Sequence, residues 1–196
     1  MGNLTSVSNA VYEMGEDPIW ISNLEQLDDV THLILPGVGH YSNAFVNLNS
    51  IGTAAQLVQI LSSRQIPVLG VCLGMQLMME DSEEGDGKGL GLIPGKCNLL
   101  QGENLRLPHV GWNQVVVQKD HPVLEDVKSD RDFYFVHSYA STQITEPWVI
   151  ATSFHGQKFA SIIAKDNFIG MQFHPEKSQT NGLRIIENFI NWDGKW

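Results

Sequence analysis

The sequence predicts an α/β fold, a doubly wound and mostly parallel sheet flanked by helices. Three observations carry that prediction. In the first half of the 196-residue chain, short apolar runs alternate with segments of helical periodicity, the order that builds a parallel sheet. The apolar run 66–69 passes through Gly70-Val71-Cys72-Leu73-Gly74 into Met75–Met79, which reads as strand, tight turn and helix. A hydrophobic content of 42% over this length is enough for the core of one domain, spanning 1–196.

The elements follow in order. Leu4 to Met14 has apolar residues at 4, 7, 10, 11 and 14, the spacing of a helix, and Gly15 is a plausible stop. Ile19 to Ile21 and Thr31 to Leu35 are short strands, the second running into Pro36-Gly37-Val38-Gly39. Thr53 to Leu61 reads as a helix, followed by the strand and helix around Cys72. Beyond a Gly-rich connection at 85–95 the character turns to β, at about 97–100, 114–118, 133–137, 148–154, 159–164 and 168–173. A last helix runs from about 180 to 191, with Leu183, Ile186, Phe189 and Ile190 as its buried face. The sequence opens at the cap of its first helix, without the strand that a doubly wound sheet normally places before it. The usual first strand is therefore expected to be missing here, and the natural chain to start upstream of Met1.

Charge and composition exclude several classes. A net charge of −10 leaves no basic cluster to displace counterions from phosphates, which argues against nucleic acid. The acidic run at 80–87 lacks the ligand spacing of a calcium loop and reads as a solvated surface loop. Two cysteines, in unrelated contexts, suit a reducing compartment, and Cys97 reads as buried filler. With no leader and no apolar run long enough to span a bilayer, a cytoplasmic protein away from membranes is expected. No metal or cofactor is expected.

The chemistry centres on Cys72. Gly70 and Gly74 bracket it two residues away on each side, the layout of a nucleophile elbow with sulfur in place of oxygen. At the mouth of a helix the sulfur meets backbone N–H groups and the positive end of the dipole, both of which favour thiolate. A buried structural cysteine is the plain alternative. Seven histidines compete as its base, and His174 stands out, at the end of the apolar run 168–173 and before Pro175. Glu176 is two residues on and, in extended chain, projects to the same side, where it can fix the imidazole tautomer. Cys72, His174 and Glu176 thus form a candidate nucleophile, base and orienting carboxylate. The turn at Gly37 and Gly39 follows a buried-type strand, so its N–H groups, with that of Leu73, are candidate oxyanion donors. Gln76 lies one helical turn after Cys72, where its amide can hold a polar substrate group.

In order and spacing, L-G-V-C-L-G-M-Q, L-P-G-V-G and Q-F-H-P-E resemble the class I (triad) glutamine amidotransferases, over essentially the whole chain. The segments P-H-V-G-W-N at 108–113, Y-F-V-H-S-Y at 134–139 and H-P-E-K-S at 174–178 resemble, within that class, the glutaminase subunits of imidazole glycerol phosphate synthase. S-E-E-G at 82–85 and G-L-G-L-I-P-G at 89–95 do so too. The resemblance implies that Cys72 attacks the carboxamide of L-glutamine, that His174 protonates the departing ammonia and that water hydrolyses the thioester. It implies that Gly37, Gly39 and Leu73 line the oxyanion site and that Gln76, Ser138 and Tyr139 hold the amino acid. Asn3 and Lys177 would then lie at the partner interface, where ammonia leaves. The implied partner is a (β/α)₈ cyclase subunit, in a heterodimer serving histidine biosynthesis.

There are departures. Such proteins usually begin with a strand ending in an Asp-Tyr-Gly-like segment before Met-Gly-Asn-Leu, which here is residues 1–4. His40-Tyr41 and Ala140-Ser141 also depart from the usual residues. They resemble paralogues that feed a sugar-amidating enzyme in surface-polysaccharide synthesis, the alternative reading. A same-fold subunit without chemistry, or a cysteine peptidase, are further alternatives.

Overall fold

The computed structural model describes residues 4–85, 88–127, 131–143 and 145–196. Its elements are α1 (Leu4–Glu13), β1 (Leu33–Gly37), α2 (Tyr41–Ser50), α3 (Ala54–Arg64), β2 (Val68–Cys72), α4 (Leu73–Met78), β3 (Asp81–Ser82) and β4 (Lys96–Leu99). They continue with β5 (His109–Val117), β6 (Arg131–His137), β7 (Tyr139–Ala140), β8 (Val149–His155), β9 (Gln157–Lys165), β10 (Phe168–Met171) and α5 (Gln179–Asn191).

Seven strands form a mixed sheet in the order β1-β2-β10-β9-β8-β5-β6, and β3-β4-β7 form a small second sheet. The parallel order expected from the alternating first half holds for β1, β2 and β10. The β-rich second half adds antiparallel pairs, which need only short connections. Central β2 is buried at all five positions, as a strand covered on both faces must be. Its side chains alternate between two cores. Leu69 and Val71 join Phe133, Phe135, Phe173 and Phe189 on the α5 side, whereas Val68 joins Leu57, Leu61, Met75 and Met78 under α3 and α4. On α5 the buried residues are Gly182, Ile185, Ile186 and Phe189; Leu183 and Ile190 are partly buried against α1.

Ile19–Ile21 is not a strand. β1 is the last strand of the sheet, and its outer edge has no strand partner among the described residues. A cavity of about 1060 Å³ lies beside it, lined by Ile34 and Pro36 of β1 on one side and by Ile19, Trp20 and Ile21 on the other. With that gap between them no ladder reaches residues 19–21, and a strand without a neighbour does not hold. Two elements exceed expectation: α2 is a full helix, with His40 accepting from the Ser42 N–H at its start, and β5 begins at His109 rather than 114. Among the described residues no helix is long and apolar enough to cross a membrane.

Candidate active site

The register of the parallel strands sets Gly37, at the end of β1, beside Cys72, at the end of β2. Cys72 has φ 53° and ψ −108°, outside the allowed regions for an L-residue, and α4 begins at the next residue. The bracketing glycines exist because the turn is crowded. A Cβ on Gly70 would stand 2.6 Å from Met78 Sδ and 2.7 Å from the Met75 nitrogen, and one on Gly74 would stand 1.7 Å from the Leu35 carbonyl oxygen. The expected nucleophile elbow is thus present, and it packs α4 directly onto β1 and β2.

His174 reaches the same point from β10. Its N–H donates to the Tyr134 carbonyl (2.9 Å), and the Ser178 hydroxyl donates to the His174 carbonyl (2.6 Å). The imidazole Nδ1 donates to Glu176 Oε1 at 2.9 Å. The chain at His174 is extended, but Glu176 lies in a 3₁₀ turn, Pro175–Lys177, rather than in the extended run expected. The turn curls the carboxylate back under the ring, so the pairing holds with different backbone. Burial disfavours the imidazolium, but hydrogen bonds to Cys72 and Glu176 and their negative charge outweigh it, raising His174 to about 9.

A pocket of about 130 Å³ opens on Cys72, lined by Val38, Gly39, Leu73, Gln76, Glu84, Val136, His137, Ser138 and Tyr139. It brings together most of the residues expected at the substrate and oxyanion site; Gly37 is not among its lining but is in register with Cys72. The larger cavity beside β1 reaches Gly39 but does not touch Cys72, so the chemistry belongs to the smaller one. Lys177 is exposed next to the triad, its Nζ 5.8 Å from the Tyr134 ring centroid. Asn3 lies outside the described residues, as do Asp86 and Gly87 of the acidic loop.

Two pocket-side residues had no role expected of them. Glu84 sat in what reads as a solvated acidic run, yet it lines the pocket and accepts the Tyr41 N–H at 3.2 Å. Burial raises its pKa, opposed by His40 and that N–H. Glu80 and Glu83 accept the backbone N–H groups of Gly95 and Leu99, each at 2.9 Å, so this run braces the site's rim. Gln172, fully buried, directs its Nε2 at Cys72 Sγ, 3.8 Å away. Only its place in Q-F-H-P-E could have flagged it.

The other histidines are engaged by other groups. His32 and His155 bond backbone carbonyls, His40 and His121 cap helical turns, and His109 and His137 pair with each other at 3.0 Å. Cys97 is buried against Met79, and its thiol is pushed up by burial. Among the described residues no group of three or more His, Cys, Asp or Glu could hold a metal ion.

The family model "Glutamine amidotransferase class-I" matches residues 5–192. Imidazole glycerol phosphate synthase subunit HisH 2 of Vibrio vulnificus is 42% identical over 195 residues, 98% of this chain and 91% of that protein. Subunit HisH of Methanocaldococcus jannaschii is 44% identical over 191 residues, 96% and 94% of the two chains. The fold is shared with a crystal structure of a glutamine amidotransferase (TM-score 0.73, 16% identity, 97% and 93% covered). It is shared too with PurLQS from Thermotoga maritima (TM-score 0.74, 18% identity, 97% and 92% covered).

Proposed function

The chain belongs to the class-I glutamine amidotransferase family, and from that premise we propose that it is the glutaminase subunit of an imidazole glycerol phosphate synthase. It hydrolyses L-glutamine to glutamate and ammonia and passes the ammonia to a (β/α)₈ cyclase subunit, in histidine biosynthesis. The observation that carries this reading is the convergence of Cys72, on a strained elbow, with a His174 whose Nδ1 is held by Glu176.

In the first step Cys72 Sγ bonds to the carboxamide carbon of glutamine, and the displaced π electrons move onto oxygen. Backbone N–H groups of Leu73 and of the Gly37–Gly39 turn face that oxyanion; one such donor is worth ~10²–10³ in rate. His174 gives its proton to the nitrogen, the C–N bond breaks and ammonia leaves. A water then attacks the thioester while His174 takes its proton, and glutamate and free Cys72 return. Glu84 faces the α-ammonium of the substrate across the pocket, with Ser138 and Tyr139 beside it. Cyclisation, a lyase reaction, belongs to the partner. The partner docks over Trp112, Tyr134 and Lys177: Val110 and Trp112 are 56% and 48% exposed, and Trp112 meets the Tyr134 ring edge-on at 6.1 Å. The names of the relatives favour this pathway over the sugar-amidating one.

The test is release of ammonia and glutamate from glutamine, with and without the cyclase subunit and its nucleotide ligand. Stimulation by that subunit, abolished by Cys72→Ala in a folded protein, is the expected result. Glutamine hydrolysis that persists in Cys72→Ala would overturn the chemistry, and absence of stimulation would overturn the pathway.

A further inference from the structure

Hydrogen bonds from β5 and from the side of the catalytic sulfur converge on the Tyr139 carbonyl, and backbone groups fix their polarity. At the outer end the Gln114 N–H donates to Asn113 Oδ1 at 2.8 Å. That fixes the Asn113 amide, so its Nδ2 faces His109 Nε2 at 3.2 Å and the Phe154 carbonyl at 2.9 Å. His109 Nε2 therefore accepts, and its proton sits on Nδ1. Nδ1 in turn meets His137 Nε2 at 3.0 Å, which must accept, leaving the proton of His137 on Nδ1. The inner end agrees independently. His137 Nδ1 lies 2.9 Å from the Tyr139 carbonyl, which can only accept.

The same carbonyl takes a second bond, from Gln76 Nε2 at 2.9 Å, and so fixes which end of the Gln76 amide faces inward. The other N–H of Gln76 donates to Gln172 Oε1 at 3.2 Å. With its oxygen taken, Gln172 turns Nε2 to Cys72 Sγ at 3.8 Å. His109, His137, Gln76 and Gln172 are all buried, so no member can exchange its partner for water without cost. Burial holds both histidines neutral, with His109 lowered to about 4 and His137 to about 3, so each ring keeps the accepting nitrogen that these bonds need.

We propose that Gln172 is a catalytic residue whose amide N–H stabilises the negative sulfur of Cys72, and that Gln76, anchored on the Tyr139 carbonyl that His137 also holds, is the positioning residue that fixes the direction of that amide. The sulfur is 3.7 Å from the Val136 carbonyl oxygen, which repels it once charged. The Gln172 donor, held in one direction by Gln76, offsets that repulsion before attack and again when the thioester is hydrolysed and sulfur leaves. The proposal rests on the glutaminase reading.

Two measurements test it on the full chain with its cyclase subunit. Gln172→Leu, which keeps the packing and loses the donor, is expected to lower kcat for glutamine hydrolysis about 10- to 100-fold with KM changed less than about twofold. Gln172→Glu, which keeps the shape and turns an acceptor on the sulfur, is expected to lower it further. Ring-nitrogen NMR of the unmodified protein is expected to show neutral His109 and His137, each with its proton on Nδ1. A folded Gln172→Leu with kcat within about twofold of wild type overturns the catalytic role, and a proton on Nε2 of His137 overturns its hold on the Tyr139 carbonyl. Should Gln172→Leu not fold, Gln172→Glu decides, and a kcat within about twofold of wild type there overturns the role. An inactive wild type instead counts against the glutaminase reading, which the NMR pattern does not depend on.

Discussion

His174 and Glu176 show how far one contact sets the chemistry. The imidazolium must exist when ammonia departs, and the carboxylate 2.9 Å from Nδ1 is one of the groups that keeps it at neutral pH. With His174 raised to about 9, glutamine hydrolysis is expected to fall on the alkaline side as pH passes that value. Replacing Glu176 with Gln removes a negative charge from beside the ring, so the imidazolium loses support and the alkaline limb moves to lower pH. The same change leaves the tautomer free, and kcat is expected to drop on the order of 10²-fold. A pH profile of kcat/KM for both proteins checks both effects, and a limb that stays in place would show that the carboxylate does not act on the proton. This pair was readable in the sequence because its members are two positions apart and Pro175 constrains the chain. The turn that brings it together was not, since i and i+2 also meet in a 3₁₀ turn.

At the scale of elements, the elbow is the best-specified part of the chain. Its glycines, Gly70 and Gly74, are fixed by distance rather than by flexibility, and Gly74 and Gly39, in the turn after β1, make opposite predictions. Gly74→Ala sets a Cβ on the Leu35 carbonyl, backbone that cannot rotate away, and must push α4 off β1. A loss of about 3 kcal/mol or more in unfolding free energy is expected. Gly39→Ala meets nothing within 4 Å, so its cost is confined to the backbone at φ +106° and stays near ~1–2 kcal/mol. Denaturant unfolding of the two variants separates a packing cost from a conformational one, and equal losses would contradict it. The elbow was legible because strand, turn and helix are consecutive in sequence. Residues 19–21 carry strand-like side chains, but a strand depends on a neighbour that local pattern does not reveal. Glu84 was lost among five nearby carboxylates for the same reason: only the fold singles out the one that reaches the pocket.

For the molecule as a whole, buried histidines set opposite limbs of a stability curve. His109, His121 and His137 are lowered to about 4, 4 and 3, in each case chiefly because burial disfavours the charged ring. Between about pH 6.5 and 4 the unfolded chain therefore binds protons that the folded one refuses, so stability falls as pH falls through that window. His174 acts in the reverse sense. Raised to about 9, it stabilises fully below about 6.5, and that contribution is lost as pH rises through 9. Thermal unfolding is expected to show a maximum near pH 6.5. His121 allows the acid limb to be tested away from the catalytic site. Its Nδ1 accepts the Val123 N–H at 3.1 Å as the cap of the 3₁₀ turn Pro122–Leu124, with Trp192 and Trp196 about its ring. Asparagine fills such a cap well and does not titrate. His121→Asn is therefore expected to flatten the acid limb, by up to ~1.4 kcal/mol per pH unit for a single group, with the alkaline limb unchanged. Melting curves of both proteins from pH 4 to 9 would show it, and an acid limb of unchanged slope would assign acid unfolding to other groups.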